Sequence, residues 1–234
     1  MAGADVIEVG IDPATWPTSQ IDLVWINSPS NPTGRVHGES ELRAVIEWSR
    51  RTKTPVASDE CYLPFGDVKT GQSILSLASA DNRGLLAVHS LSKRSNMAGY
   101  RGAFVAGDPN LISRLLEIRK HMGMMVPQPV QRAMATSLSD EEHVLEQANR
   151  YRRRRAVLKV ALESVGFTIE HSEAGLYLWC TRGEEDWTTV SWFADRGIIV
   201  TPGRFYGDLG SKHVRIALTA TDAQIADAAS RIQN

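Results

Sequence analysis

Short apolar runs alternate with amphipathic stretches in the first half of the chain. Each run is bounded by turn formers, which is typical of buried strands. The pattern predicts strands at residues 4–9, 21–26, 55–58, 85–88 and 103–106. Residues 38–51 fit an amphipathic helix with acidic residues in its first turn and basic residues in its last. A shorter helix is expected at residues 74–80. Strands that alternate with helices predict an α/β domain with a mostly parallel sheet.

The second half of the chain has a different pattern. After Asp108 and Pro109 it becomes helical, and an apolar stripe runs through a long helix at residues 140–165. Helices are also expected at residues 188–196 and from residue 222, and strands at 167–170, 176–179, 198–200 and 214–218. We therefore expect a small α+β domain here. The boundary is placed inside the long helix, which gives domains at residues 1–145 and 146–234.

Composition narrows the possible partners. The 234 residues carry a formal net charge of −1, so overall charge gives no reason to expect nucleic acid or an anionic membrane as a partner. The two cysteines, Cys61 and Cys180, lie far apart and fit a reducing compartment. No metal site is predicted, because the histidines have no partners at ligand spacing. The N-terminus lacks the pattern of a secretory signal, so a cytoplasmic protein is expected. The arginines at positions 150 and 152–155 are interpreted as a solvated or ion-paired helix face.

Polar residues follow several of the predicted strands. Asn31, Asp59, Ser90 and Lys93 each come just after an apolar run. Because parallel strands end at one edge of a sheet, these residues are expected to meet there. Pyridoxal phosphate needs a lysine for its Schiff base, an acid at the pyridine nitrogen, and donors to the phenolic oxygen and the phosphate. The strand-end residues match that set.

Each candidate is given one role towards this cofactor. Lys93 would form the Schiff base and then move the proton between the two reacting carbons. Asp59 would pair with the pyridinium, and Asn31 and Tyr62 could donate to the phenolic oxygen. Taken alone, such residues are more often a solvated lysine, a helix cap, a turn residue and a core tyrosine. It is the ordered set that favours the cofactor.

The phosphate and the substrate need further groups. Ser90 is preferred to Ser92 as the phosphate ligand because of its spacing from Lys93, although both remain candidates. Arg101 offers a fork of donors to the phosphate. Arg215 lies on an otherwise apolar strand, where a charge needs a partner. A substrate α-carboxylate would be one, and Asn31 could assist it.

Several motifs, in order, resemble one family. Asn31-Pro32-Thr33-Gly34, Asp59-x-x-Tyr62, Ser90-x-x-Lys93 and the later Arg101 resemble the fold-type I pyridoxal-phosphate aminotransferases of class I/II. The segments 174–179, 197–203 and 214–218 and Phe205 are similar to the family's small-domain strands and active-site loop. The resemblance implies an amino acid and a 2-oxo acid as substrates, pyridoxal 5'-phosphate as cofactor and a homodimer. In overall similarity the chain looks most like actinobacterial N-succinyldiaminopimelate aminotransferases of lysine biosynthesis.

The chain departs from this family at its N-terminus. It resembles only the C-terminal part of such an enzyme. The family's glycine-rich phosphate turn, its ring-stacking aromatic residue and a tyrosine given to the neighbouring subunit are not matched. Weak cofactor binding and poor turnover are therefore expected of the chain by itself. Two alternatives stay open, a β-eliminating lyase or decarboxylase of the same fold and an inactive fragment.

Overall fold

The computed structural model describes residues 3–66 and 71–234. Its first sheet contains β1 (Val24–Asn27), β2 (Val56–Asp59), β3 (Leu85–Ser90) and β4 (Ala103–Gly107), in that order. The first three strands are parallel, and β4 is antiparallel to β3. This confirms the predicted α/β architecture. Asn27 pairs with Asp59, and Asp59 pairs with Val88, so the carboxyl ends of the three parallel strands lie side by side.

One face of this sheet is covered by helices. The helices α1 (Glu39–Thr52) and α2 (Ile74–Leu77) form close to their predicted positions. Helix α1 begins after Gly38 and has glutamates in its first turn, as the helix dipole favours. Its apolar stripe packs on the inward residues of the strands. The buried residues of this core include Val24, Ile26, Leu42, Val45, Ile46, Val56, Ile74 and Leu85.

The opposite face of the sheet stays partly open in the described chain. Trp25 alternates with the buried Val24 and Ile26, and it is 58% exposed. The helix α4 (Pro109–His121) forms where the pattern predicted a helix, but none of its residues is buried. Its apolar face therefore remains in solvent, together with Met122, Met124 and Met125.

The C-terminal part has its own core. The helices α5 (Gln128–Leu138) and α6 (Glu142–Ser164) lead into a second sheet with the strand order β5-β6-β8-β7. Its strands are β5 (Thr168–Ile169), β6 (Tyr177–Thr181), β7 (Thr201–Pro202) and β8 (Val214–Ala217), and all its pairs are antiparallel. The helices α7 (Asp186–Ala194) and α8 (Asp222–Gln233) complete this part. Leu158 and Leu162 of α6 lie in its core, whereas Ala148 packs with Tyr62 and Phe65 of the first part.

Two of the predicted strands are wrong. Residues 4–9 are exposed and have no ladder partner in the described chain, because β-forming side chains make a strand only where another strand pairs with them. Residues 198–200 form a loop, in which Ile199 is 98% exposed. The N–H of Ile198 donates to the carbonyl of Phe193 and so closes the end of α7. The strand therefore begins only at Thr201.

The arginine-rich stretch of α6 is an ion-paired face, as predicted. Arg150 pairs with Glu146 one turn away, and Arg154 pairs with Asp222 at the start of α8. The guanidinium of Arg155 donates to the carbonyl of Gly175. The Arg154 and Arg155 contacts join α6 to α8 and to the segment before β6.

Candidate active site

The turn after β1 is fixed by contacts with the C-terminal part. The N–H groups of Ser172 and Ala174 donate to the carbonyls of Thr33 and Gly34, both at 3.1 Å. Gly34 has a φ of +71°, and a Cβ at this position would lie 2.7 Å from the carbonyl oxygen of Ala174. Only glycine fits this close approach. The glycine of the Asn-Pro-Thr-Gly motif therefore lets the turn that carries Asn31 dock against the segment before β6.

Asn31 and Arg215 meet across this junction. The Nη1 group of Arg215 donates to Oδ1 of Asn31 at 2.9 Å, and the backbone N–H of Asn31 is held by Oδ1 of Asn27 at 2.8 Å. The guanidinium carbon of Arg215 lies 3.9 Å from the ring centroid of Tyr177 and 4.8 Å from that of Tyr206. The arginine is thus held in one orientation by an amide and two aromatic rings.

Tyr62 joins the same group through its hydroxyl. Its oxygen lies 3.2 Å from the hydroxyl oxygen of Tyr177, and the two rings meet edge to face. Burial, followed by the hydrogen bond with Tyr177, raises the pKa of the Tyr62 phenol above its usual range, although the charge of Arg215 opposes the shift. Tyr62 therefore keeps its proton at neutral pH and can donate a hydrogen bond.

The lysine lies on a very short helix, α3 (Leu91–Arg94), directly after β3. The Ser90 side chain caps this helix, because its Oγ accepts from the backbone N–H of Ser92 at 3.1 Å. The Ser90 hydroxyl also lies 2.9 Å from that of Ser92. The two candidate phosphate ligands are thus neighbours, and Lys93 follows them with an exposed side chain.

The residues after the lysine are clamped to the helices behind them. Arg94 donates to the carbonyl of Ser137 at 2.8 Å and pairs with the Glu141 carboxylate. A ring nitrogen of His143 lies 3.0 Å from the Ser95 hydroxyl. These contacts hold the lysine turn against α5 and α6, so its place is fixed from both ends.

Arg101 is placed less closely. Its backbone is left-handed, with a φ of 55°, and its Nη1 group donates to the carbonyl of Ala98 at 2.9 Å. Its side chain is exposed to solvent. The structure gives no direct contact between Arg101 and the two serines.

Asp59 ends β2 on the same sheet edge. Its Oδ1 accepts from the backbone N–H of Cys61 at 3.1 Å. Burial, followed by the hydrogen bond with Asp59 and its charge, raises the pKa of the Cys61 thiol to about 12. The backbone hydrogen bond places the carboxylate of Asp59 beside Cys61. A cation or N–H group of a ligand at this point would meet the same carboxylate.

This thiol gives a direct test of the Asp59 environment. We expect Cys61 to react with Ellman's reagent at pH 8 about 10³-fold more slowly than a free thiol, because reactivity follows the thiolate fraction. Asp59→Asn should lower the thiol pKa and speed the reaction. Cys180 is fully buried and adds little background, and Cys61→Ser supplies the blank. Fast labelling of the unmodified protein at pH 8 would contradict the predicted shift.

A cleft of about 580 Å³ lies between the lysine turn and the second sheet. Lys93 and Arg215, far apart in sequence, both line it. The other polar residues that line it are Ser92, Arg94, Ser95, Asn96, His143, Gln147, Tyr151, Tyr177 and Thr219. Asn31, Asp59, Ser90 and Arg101 are not among the lining residues, although Asn31 reaches the cleft through Arg215. The structure thus brings Lys93 and Arg215 to one cleft, whereas Asn31, Asp59, Tyr62, Ser90 and Arg101 do not line it.

Two residues that hold Arg215 were not predicted from the sequence. Tyr177 was noted only as part of the segment 174–179, and Tyr206 was not noted. Phe205, which was singled out, instead packs on Trp187 at the surface, with ring centroids 6.2 Å apart. The register pairs Tyr177 with Ala217 and Arg215 with Trp179, so Tyr177 meets Arg215 diagonally across the two strands. This contact could be recognised only once the strand pairing was known.

The chemistry of the donor set fits pyridoxal phosphate. An amine, a carboxylate, paired hydroxyls and guanidinium groups come together around the ends of three parallel strands. The Nε of Arg215 is buried and has no hydrogen-bond partner in the described chain, which leaves it for an anionic ligand. Among residues 3–66 and 71–234, no three acidic, histidine or cysteine side chains converge as a metal site. No described helix is long and apolar enough to cross a membrane. Fold and donor set together are those of an α/β protein that can hold this cofactor.

Comparison with known proteins identifies the family. Residues 8–232 match the model of the family "Aminotransferase class I and II", and the chain belongs to this family. The family and its fold depend on pyridoxal phosphate. The resemblance seen in the motifs is therefore confirmed at the level of the family.

Three proteins show the range of similarity. The 4-dedimethylamino-4-oxo-anhydrotetracycline transaminase OxyQ of Streptomyces rimosus is 51% identical over 97% of this chain and 62% of its own length. The probable aminotransferase Rv1178 of Mycobacterium tuberculosis is 54% identical over 90% of this chain and 51% of its own length. The structure of a probable N-succinyldiaminopimelate aminotransferase from Thermus thermophilus superposes with a TM-score of 0.82 at 28% identity, over 91% of this chain and 58% of that one.

The relatives match this chain over only part of their own length, and their names differ in substrate. The chain spans between half and two thirds of the length of these relatives. OxyQ and Rv1178 are each more than 50% identical to the matched part of this chain. Neither is named as an N-succinyldiaminopimelate aminotransferase. The finer resemblance expected from the sequence is thus not supported specifically.

Proposed function

We propose that this chain forms part of an aminotransferase that moves an amino group between an amino acid and a 2-oxo acid. The observation that carries the proposal is the cleft shared by Lys93 and Arg215. Transamination requires two groups from the protein. One is an amine that moves protons, and the other is a guanidinium that binds a carboxylate. When bound, pyridoxal phosphate supplies the electron sink.

The residues of the chain divide the work. Arg215 binds the substrate α-carboxylate with the donors that Asn31 leaves free, and the rings of Tyr177 and Tyr206 fix its plane. The Nζ atom of Lys93 takes the proton from the substrate α-carbon and delivers it to the second reacting carbon. Tyr62 stays protonated, and its hydroxyl contacts that of Tyr177, which lines the cleft.

The cofactor ligands are proposed as the remaining strand-end groups. Asp59 would keep the pyridine nitrogen protonated. Ser90, Ser92 and Arg101 would hold the phosphate, because two neighbouring hydroxyls and the remaining N–H groups of the guanidinium can donate to it. A homodimer is proposed as well, and the exposed apolar face of α4 supplies a surface for it.

For the substrate we propose N-succinyl-LL-2,6-diaminopimelate, with the 2-oxoglutarate/glutamate pair, as in lysine biosynthesis. Two observations support it. The described cleft is lined by Lys93, Arg94 and Arg215 and by no acidic side chain, which suits substrates with several carboxylates. The Thermus structure named above shares the fold over 91% of this chain.

A second candidate substrate follows from the 51% identity with OxyQ. The name of OxyQ indicates that its amino acceptor is a 4-oxo-anhydrotetracycline, a large polycyclic ketone. A third reading is a β-eliminating lyase or decarboxylase that uses the same site.

The test is a purified chain incubated with pyridoxal phosphate, each amino donor and 2-oxoglutarate. We expect glutamate to form with N-succinyl-diaminopimelate as the best donor. Amination of an anhydrotetracycline ketone in preference would favour the second substrate, whereas pyruvate and ammonia from a β-substituted amino acid would favour the lyase. Because weak binding and poor turnover are expected of the chain by itself, the assay uses saturating pyridoxal phosphate. A chain that then neither develops a visible absorbance band nor forms glutamate contradicts the proposed function.

A further inference from the structure

A buried carboxylate–imidazole pair lies behind the strand ends of the site. Glu60 directly follows Asp59 and is 1% exposed. Its Oε2 lies 3.1 Å from Nε2 of His89, the residue directly before Ser90. Oε2 has no aligned hydrogen bond in the described chain, although the imidazole nitrogen lies within hydrogen-bonding distance of it. Neither residue has a role in the mechanism above.

The strand register places this pair opposite the cofactor ligands. Asp59 is level with Val88, and the N–H of Glu60 donates to the carbonyl of Val88 at 2.9 Å, which extends the ladder by one residue. Side chains alternate along a strand. Glu60 and His89 therefore share one face of the sheet, and Asp59 and Ser90 share the other.

Each member of the pair has a second anchor. The Oε1 of Glu60 accepts from the backbone N–H of Ile74 at 2.8 Å, at the start of α2. The His89 ring is stacked on Phe104 of β4, with centroids 5.1 Å apart and an angle of 20° between the planes. The pair thus ties β2 to β3, α2 and β4 at the level of the site. A buried carboxylate that loses its partner is strongly destabilised, so the tie depends on both residues.

We propose that Glu60 and His89 are positioning residues that set the distance between Asp59 and Ser90. The inference rests on the proposed function, in which these two residues hold opposite ends of one rigid cofactor. A rigid ligand gains from two anchors only if their spacing matches its own length. If the strand ends loosened, the affinity gained from joint binding would be lost. Each anchor would still be able to bind its own half of the cofactor.

The test compares a complete ligand with its two halves. Glu60→Gln keeps an oxygen for the N–H of Ile74 but removes the charge that faces His89, and His89→Gln removes the imidazole. We expect either variant to bind pyridoxal phosphate about 10-fold more weakly, because misplaced groups lose the advantage of joint binding. Binding of pyridoxal alone and of inorganic phosphate alone should stay within about twofold, since each uses one anchor.

Two further variants sharpen the comparison. The double variant Glu60→Gln/His89→Gln should lose no more pyridoxal phosphate affinity than the weaker-binding single variant, because the two residues act through each other. Asp108→Asn is the matched control. Asp108 is also buried and accepts from the N–H of Gly84 at 2.8 Å, but at the opposite end of β3. It should lower the melting temperature without changing the ratio of pyridoxal phosphate to pyridoxal affinity.

The outcomes separate the two proposals. The positioning role would be overturned if the variants bound pyridoxal phosphate, pyridoxal and inorganic phosphate with equally reduced affinity. Strictly additive losses of pyridoxal phosphate affinity in the double variant would also overturn it. In either case the proposed function stands. An unmodified chain that binds pyridoxal phosphate no better than pyridoxal would contradict the proposed function, and the inference with it. If Glu60→Gln does not fold, His89→Gln carries the same comparison, because the His89 side chain is partly exposed and its loss is milder.

Discussion

Replacing Lys93 by alanine is expected to abolish the visible absorbance band with pyridoxal phosphate and to lower transamination by about 10⁴-fold or more, because both covalent attachment and proton transfer are lost. The side chain is exposed at the cleft, and its turn is fixed by Ser90 in front and by Arg94 behind. The loss should therefore be chemical, with the melting temperature unchanged.

The measurement is borohydride reduction of the loaded protein followed by peptide mapping. The added mass should appear on the peptide that contains Lys93. Lys120→Ala is the matched control, since Lys120 is also an exposed helix lysine and pairs with Glu117 at 2.6 Å, outside the cleft. A modified peptide elsewhere, or a Lys93→Ala variant that keeps the band, would disprove the assignment.

Replacing Arg215 by alanine is expected to reduce kcat/KM for both the amino donor and the 2-oxo acid. The guanidinium keeps Nε free of protein partners, so a carboxylate can be held by two parallel donors. Loss of such a charged pair costs about 3–4 kcal/mol, which corresponds to a fall of roughly 10²–10³-fold. The kcat/KM of Arg215→Lys should lie between those of the unmodified protein and Arg215→Ala. Lysine keeps the positive charge but loses the two parallel donors of the guanidinium.

The readout is the KM of each substrate together with 2-oxoglutarate binding measured by calorimetry. Arg196→Ala serves as the control, since Arg196 also stacks on an aromatic ring, with its guanidinium carbon 3.7 Å from the Trp192 centroid, and takes no part in the cleft. If Arg215→Ala lowers kcat alone and leaves KM and 2-oxoglutarate binding unchanged, Arg215 does not hold the carboxylate.

Much of the fold could be predicted from local pattern. The apolar periodicity of α1 and the runs at β2 and β3 marked their elements to within one or two residues, because burial on one side imposes a period on the sequence. Residues 4–9 show where this reasoning fails. Their β-forming side chains specify a strand only if a neighbour supplies hydrogen bonds, and the described chain supplies none.

The site was predicted as a set of residue types and only in part as an arrangement. Strand ends predicted that Asp59, Ser90 and Lys93 would share one edge, because parallel strands end together. The contact of Asn31 with Arg215 had no local signal. It depends on Gly34 docking against Ala174, on the other side of the chain.

The sequence by itself determined the family and the alternation of elements, since these follow from residue order and spacing, and it predicted a lysine-centred set of cofactor ligands. Only the tertiary structure decided which groups meet. It paired Tyr62 with Tyr177, stacked both Tyr177 and Tyr206 on Arg215, and placed Glu60 against His89 behind the strand ends. The physical reason is that periodicity encodes which side of an element is buried, whereas contacts between distant segments depend on register and close packing.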